Sequence, residues 1–303
     1  PRGEMAVFAA EMRGAELEPL PTPWPPRLPL KAWRNLKLPA VATFHATLPD
    51  DAGLAGRAMR TAASYFMKRL DAVIVPSVSP LSSLPKISGV EPVVLPPSVD
   101  LKAWTEAGQA REAADGTVRV AYLGRFEERK GVDVLLEAWR MLASRTSRLE
   151  LTIAGGGAME SAVLGATQSP WGKTIRYVPE PDAEEARRIV GNTDIFVAPA
   201  RFGESFGIVL TEAMAAGAVP VAAANSGYTT VMTGEGSPLL VPPGDAAALA
   251  ERMEALAKDA ALRERLQNWG RAHAAAFDMS CVGPLYEKLF EAVLARRGAK
   301  SRQ

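Results

Sequence analysis

The sequence predicts an α/β protein built on parallel sheets, and three observations carry that prediction. Short runs rich in β-branched residues alternate with longer amphipathic runs along most of the chain, the rhythm of strands joined by crossover helices. The rhythm breaks once, at the polar, turn-rich stretch LPPSVDLKAWTEAGQAREAADG (Leu95–Gly116), and then restarts. The chain has 303 residues, 48% of them hydrophobic, enough to favour two domains over one. The expected division is an N-terminal domain over residues 1–110 and a doubly wound C-terminal domain over residues 111–283. A last helix, residues 284–297, has no strand after it and is expected to pack back on the first domain.

The elements follow in order. PAVATF (Pro39–Phe44), DAVIVP (Asp71–Pro76) and PVVLP (Pro92–Pro96) read as strands, with a helix near residues 52–69 between the first two. PLPTPWPPRLP (Pro19–Pro29) is expected to be irregular, because proline removes donors and fixes φ. Leu95–Gly116 reads as a linker without a strand. VRVAYLG (Val118–Gly124), LELTIAG (Leu149–Gly155), IRYVP (Ile175–Pro179), DIFVAPA (Asp194–Ala200) and VPVAAA (Val219–Ala224) read as strands. GVDVLLEAWRMLASR (Gly131–Arg145), AEEARRIVGN (Ala183–Asn192), the run after Gly207 and residues 246–258 read as helices.

Lysine plus arginine is 35 and aspartate plus glutamate 34, a balance that argues against a nucleic-acid binder. The single cysteine, Cys281, leaves no intrachain disulfide framework and reads as a buried small residue. No run approaches the roughly 20 apolar residues that span a bilayer, and no signal peptide is visible. Locally the charge is uneven. Between Pro19 and Leu70 the only acids are Asp50 and Asp51, against Arg27, Lys31, Arg34, Lys37, Arg57, Arg60, Lys68 and Arg69, with Trp24, Trp33, Tyr65 and Phe66 interleaved. Such a face is either solvated surface with some core aromatics or a contact for anionic lipid headgroups or a phosphorylated acceptor.

Two stretches carry candidate chemistry. In YLGRFEERKG, Gly124 ends a strand at the carboxyl edge of a parallel sheet, where ligands of open α/β folds bind. Arg125 and Lys130 on that loop suit a diphosphate, or else pair with Glu127 and Glu128 as a solvated loop. In RFGESFGIVLTEAMAAG (Arg201–Gly217), the loop again follows a strand and opens a helix near Gly207. The amides of Phe206, Gly207 and Ile208 would point from its N-terminus toward an anion. Glu204 stands before the helix and Glu212 roughly 8 Å along its axis, so the two carboxylates flank the anion site. Taken singly, each acid could be an ordinary helix position.

Together these stretches resemble the retaining GT-B glycosyltransferases of family 4, whose donor site carries two glutamates separated by seven residues, here Glu204 and Glu212 in ESFGIVLTE. LGRFEERKGVDVLLEA, EAMAAGAVPVAA and GYTTVMTGEGSPLLVPPGD are similar to the family's segments, and the likeness runs from Tyr122 to Asp245. VATFHATLPDD resembles the segment holding a functional histidine in phosphatidylinositol mannosyltransferase-like members, which places it at His45.

The resemblance implies two Rossmann-like domains facing across a cleft, and transfer of a hexose, mannose or glucose, with retention and without a metal or other cofactor. The donor would be a nucleotide-sugar such as GDP-mannose or UDP-glucose, and the acceptor lipid-linked or a saccharide. Arg125 and Lys130 would offset charge on the departing diphosphate, and Glu204 would hold sugar hydroxyls. Phe206, Gly207, Ile208 and Val209 would line the donor with backbone, beside Gly124. Glu212 would take the ribose diol, and His45 would reach the reacting centre from the first domain. His273 reads as structural. The lone cysteine suits a reducing cytosol, and the basic N-terminal face favours work at the inner face of the plasma membrane, so the expected location is cytoplasmic, either free or peripheral on that face. Two departures stand out. The family's first strand and glycine-rich loop are not found in PRGEMAVFAAEMRGAELEPL, so a truncated N-terminal domain is expected. The loop after IRYV carries Pro179-Glu180-Pro181 where the family has a glycine. The alternative reading is a truncated homologue that binds nucleotide-sugar or a partner without efficient turnover.

Overall fold

The computed structural model describes residues 18–21, 38–45, 53–112, 116–143, 145 and 148–300. The chain divides into two compact units, Pro1–Pro97 with Val282–Gln303, and Ser98–Cys281. The segment in which the family's first strand was sought falls largely in residues 1–17, outside the described residues. So do Trp24, Arg27, Lys31, Trp33, Arg34 and Lys37 and the side chain of Phe66.

The first unit holds strands β1 (Glu18–Pro21), β2 (Ala40–Thr43), β3 (Ala72–Val75) and β4 (Val93–Val94), all parallel and in that spatial order, with helix α1 (Gly53–Met67) between β2 and β3. β1 corrects the expectation of irregular structure at Pro19–Pro21. Among the described strands it is an edge, and Pro19 and Pro21 share one parity, so the donors they lack can be those on the open side. The period of two sorts β2 and β3. Ala40, Ala42, Phe44, Val73 and Val75 bury one face with Met67 and Leu84, while Val41 and Ile74 bury the other with Leu95. Phe44 and Met67 are fully buried, each contributing about 1.5–3 kcal/mol by leaving water.

The second unit opens with α2 (Lys102–Gln109). Leu95–Gly116 is therefore not a plain linker, and residues 98–110, expected in the N-terminal domain, belong to the second unit. A Cβ on Gly108 would lie 2.2 Å from the carbonyl oxygen of Ala216, so α2 packs close against the C-terminal unit's own backbone. The strands are β5 (Val118–Leu123), β6 (Leu149–Gly155), β7 (Ile175–Pro179), β8 (Ile195–Ala198), β9 (Val219–Ala223) and β10 (Leu240–Val241). The helices between and after them are α3 (Val132–Leu142), α4 (Glu160–Thr167), α5 (Ala183–Gly191), α6 (Ile208–Ala215), α7 (Tyr228–Val231), α8 (Ala246–Lys258) and α9 (Ala260–Ala274).

All pairings are parallel and the order is β10-β9-β8-β5-β6-β7. The chain winds outward from β5 to β7, returns to β8 beside β5, and winds outward the other way. β5 and β8 therefore flank the topological switch point, the place where a crevice opens at the carboxyl ends. β8 and β9 are buried along their whole length, as strands covered on both faces must be.

The last helix, α10 (Met279–Lys300), runs on from the second unit, and Tyr286, Leu289, Phe290 and Val293 pack on Val41, Ile74 and Leu95 of the first unit's sheet. Arg297 Nε donates to Asp71 Oδ1 at 3.1 Å, and Asp71 Oδ2 accepts the Ala40 amide at 2.9 Å. Cys281, read as buried, is exposed.

Candidate active site

The site assembles at the switch point of the second unit. A cavity of about 260 Å³ is lined by Tyr122, Leu123 and Gly124 at the end of β5, by Arg125 and Lys130 on the loop, by Phe196 to Pro199 of β8 and its end, and by Val209 and Tyr228. The structure thus brings Gly124, Arg125, Lys130 and Val209 to one space.

The loop after β5 is short because Gly131 lets α3 start at once. Its φ is +71°, and a Cβ there would meet the carbonyl oxygen of Pro199 at 2.2 Å. That approach sets the turn Glu128–Lys130 beside the loop after β8, where the Arg201 amide donates to the Arg129 carbonyl at 2.7 Å. The two loops then share side-chain contacts. Lys130 Nζ donates to Glu204 Oε1 at 2.7 Å and Arg129 Nη1 to the same oxygen at 3.0 Å. Arg129 Nε donates to Glu127 Oε2 at 2.8 Å, and Arg125 Nη1 lies 2.6 Å from Glu127 Oε1.

Gly207 caps α6 at φ +117°, a conformation closed to L side chains, and a Cβ would sit 2.7 Å from Tyr228 Cδ1. The N–H groups of Phe206, Gly207 and Ile208 have no protein acceptor recorded among the described residues, as expected for a helix start. Phe206 is buried and Ile208 exposed. None of these three lines the cavity, nor do Glu204 and Glu212. The Glu212 carboxylate, half-buried on α6, has no hydrogen-bond or ion-pair partner among the described residues. Burial pushes its pKa up to about 7.

Three side chains not singled out from sequence shape the site. Tyr122 Oη donates to the Arg125 carbonyl at 2.8 Å. Asn225, buried, donates to the Ala200 carbonyl at 2.9 Å and accepts the Tyr228 amide at 2.9 Å, tying the loop after β9 to the loop after β8. Tyr228 is itself buried. Burial first, then the charge of Glu204, pushes the phenols of Tyr122 and Tyr228 well above their ordinary value, so both remain donors. Tyr228 stands inside the quoted GYTTVMTGEG, where its burial had no periodic signal.

His45 lies two residues past the carboxyl end of β2 in the first unit, after Phe44, and is exposed. Desolvation lowers its pKa, which favours the neutral imidazole. His273 stacks on Trp269 at 5.0 Å, and its Nε2 lies 2.7 Å from the Val231 carbonyl, a packing role.

The family model described as Glycosyl transferases group 1 matches residues 105–273. The chain belongs to the group 1 glycosyl transferases. The transferase is 31% identical over 277 residues to the phosphatidyl-myo-inositol mannosyltransferase of Propionibacterium freudenreichii subsp. shermanii, covering 88% of this chain and 68% of that one. The same-named enzyme of Mycobacterium leprae is 30% identical over 276 residues, covering 91% and 72%. Anabaena Alr3699/HepE, solved in complex with UDP-glucose, superposes with a TM-score of 0.79 at 16% identity, covering 96% of this chain and 84% of that one. The transferase has the GT-B fold and moves sugar from a nucleotide-sugar donor. Among the described residues no helix is long and apolar enough to cross a membrane.

Proposed function

We propose that the transferase moves a hexose, mannose or glucose, from its nucleotide to a lipid-linked or saccharide acceptor, with retention at the anomeric carbon and without a metal ion. The observation that carries this reading is the presence of Arg125 and Lys130 in one cavity at the switch point, with Glu204 bonded to Lys130. Cations carried on short loops at the cavity stabilise the charge that develops on the leaving diphosphate. Lys130 is a compact charge for one phosphate, and Arg125 a fork for two oxygens. The free amides of Phe206, Gly207 and Ile208 add a dipole of the right sign. Glu204 then takes sugar hydroxyls, Glu212 the ribose diol, and His45 a catalytic part. Of the two sugars, mannose is supported by the names of the relatives.

The test is a panel of GDP- and UDP-sugars, read by thermal shift and by donor hydrolysis, with Glu204→Ala and Lys130→Ala beside wild type. At least one donor raises Tm, and both variants lose hydrolysis. If no nucleotide-sugar shifts the wild type, the donor-site reading is wrong. A shift without turnover on any acceptor or on water supports the binding-only homologue instead.

We also infer a peripheral place on an anionic membrane, supported by exposed Arg57, Lys68 and Arg69 on and just after α1. Co-sedimentation with vesicles containing anionic lipid falls as salt rises; equal binding to neutral vesicles contradicts it.

A further inference from the structure

Five charged side chains at the site stand in one alternating row. Arg125 pairs with Glu127, Glu127 with Arg129, Arg129 with Glu204, and Glu204 with Lys130, at 2.6, 2.8, 3.0 and 2.7 Å. Three cations and two carboxylates leave one net positive charge. The two ends of the row, Arg125 and Lys130, line the cavity, whereas Arg129 at its centre does not. Arg129 is also the better fixed of the two arginines. Its side chain is 26% exposed against 68% for Arg125, and its carbonyl holds the Arg201 amide.

A diphosphate entering the cavity competes with both carboxylates for the end cations. As Lys130 turns to phosphate, Glu204 loses a partner; as Arg125 turns, so does Glu127. A partly buried carboxylate left without its cation pulls that cation back, because the interaction is stronger away from water. Arg129 bonds both carboxylates. Its guanidinium offers separate donors in a fixed fork, Nε to Glu127 and Nη1 to Glu204, a division that a single ammonium cannot copy.

We propose that Arg129 is a positioning residue. It keeps Glu127 and Glu204 neutralised and in place, which frees Arg125 and Lys130 to bind the donor diphosphate. The inference rests on the donor-site reading above and adds a residue to it that touches no donor atom.

The test uses the full chain and measures dissociation constants for UDP, GDP and the best nucleotide-sugar by calorimetry, with kcat and KM for donor hydrolysis. Arg129→Ala weakens nucleotide binding by about tenfold, the scale of coupling in such networks. Arg129→Lys recovers only part of the loss. The decisive variant is the double substitution Arg129→Ala with Glu127→Gln. Removing the carboxylate that captures Arg125 restores much of the affinity, an outcome that loss of packing does not give. Wild-type affinity in Arg129→Ala, or no recovery in the double variant while it remains folded by circular dichroism, overturns the proposal and leaves the donor site standing. Failure of the wild type to bind any nucleotide overturns the donor site and this proposal together.

Discussion

The guanidinium of Arg201 meets the carboxylate of Asp133 through two contacts, Nη1 to Oδ1 at 3.1 Å and Nη2 to Oδ2 at 2.6 Å. The same Nη1 donates to the Glu128 carbonyl at 3.0 Å. Asp133 sits in the first turn of α3 and Arg201 just beyond β8, so this pair holds together the two loops that carry Lys130 and Glu204. Arg201→Ala is expected to cost about 1–2 kcal/mol of stability, since a bidentate, half-covered pair is worth more than an open one. Donor KM should rise more than kcat falls. Arg201→Lys should not restore either, because an ammonium cannot make both contacts. Denaturant melts with donor-saturation curves check both statements.

Glu212 gives a pH signature. Its folded pKa of about 7 lies above the ordinary glutamate value of 4.5, because burial disfavours the charged form. The folded state therefore holds a proton that the unfolded state has already lost. Stability from this group is present at low pH and declines as pH rises from about 4.5 through about 7. Glu212→Gln should remove that decline, so the variant gains on wild type between pH 5 and pH 8. Donor binding should run the other way. A ribose diol prefers the carboxylate, so wild-type affinity falls toward tenfold per unit below about pH 7, while the Gln variant is flat. Thermal melts and calorimetry across pH 5–8 decide it.

Gly207→Ala tests the start of α6. The new Cβ would meet Tyr228 Cδ1 at 2.7 Å from a backbone φ of +117°. The expected cost is about 1–3 kcal/mol. Because Tyr228 lines the cavity, nucleotide affinity should fall as well. A variant with wild-type Tm and wild-type affinity contradicts the close approach.

The parts of the molecule that were legible in the sequence are those with a periodic reason. β5, β6, β8 and β9 bury alternating or continuous apolar runs, and the switch point follows from their order. β1 was missed because Pro19 and Pro21 argue against a ladder, which an edge position permits. α2 was missed because its apolar side is only Ala103, Trp104 and Ala107, none of them fully buried, too few to stand out from the polar stretch around them. Lys130 and Glu204 could be named separately, but not as partners. They are 74 residues apart, and only the return of β8 beside β5 joins them. Arg129 lay in plain sight within EERKG, where adjacent charges of both signs look the same as a solvated loop.

The loop after β7 offers the last prediction. Glu180, between Pro179 and Pro181, has φ +39°, the one non-glycine residue in the left-handed region among the described residues. Its amide donates to the Gly155 carbonyl at 3.2 Å, and its Cγ would lie 3.1 Å from a Cβ on Gly156, so the loop is held against the turn after β6. A side chain in that region costs roughly 1–2 kcal/mol relative to right-handed backbone, and glycine escapes the cost at some expense in unfolded-chain entropy. Glu180→Gly should therefore raise Tm by about 1–3 °C, and Glu180→Val, with a branched Cβ, should lower it. Strain of this kind persists where surrounding structure enforces it and often serves a ligand. If it does so here, the Gly variant gains stability yet loses discrimination between GDP- and UDP-sugars. Equal discrimination in wild type and Glu180→Gly would show that the strain belongs to the loop alone.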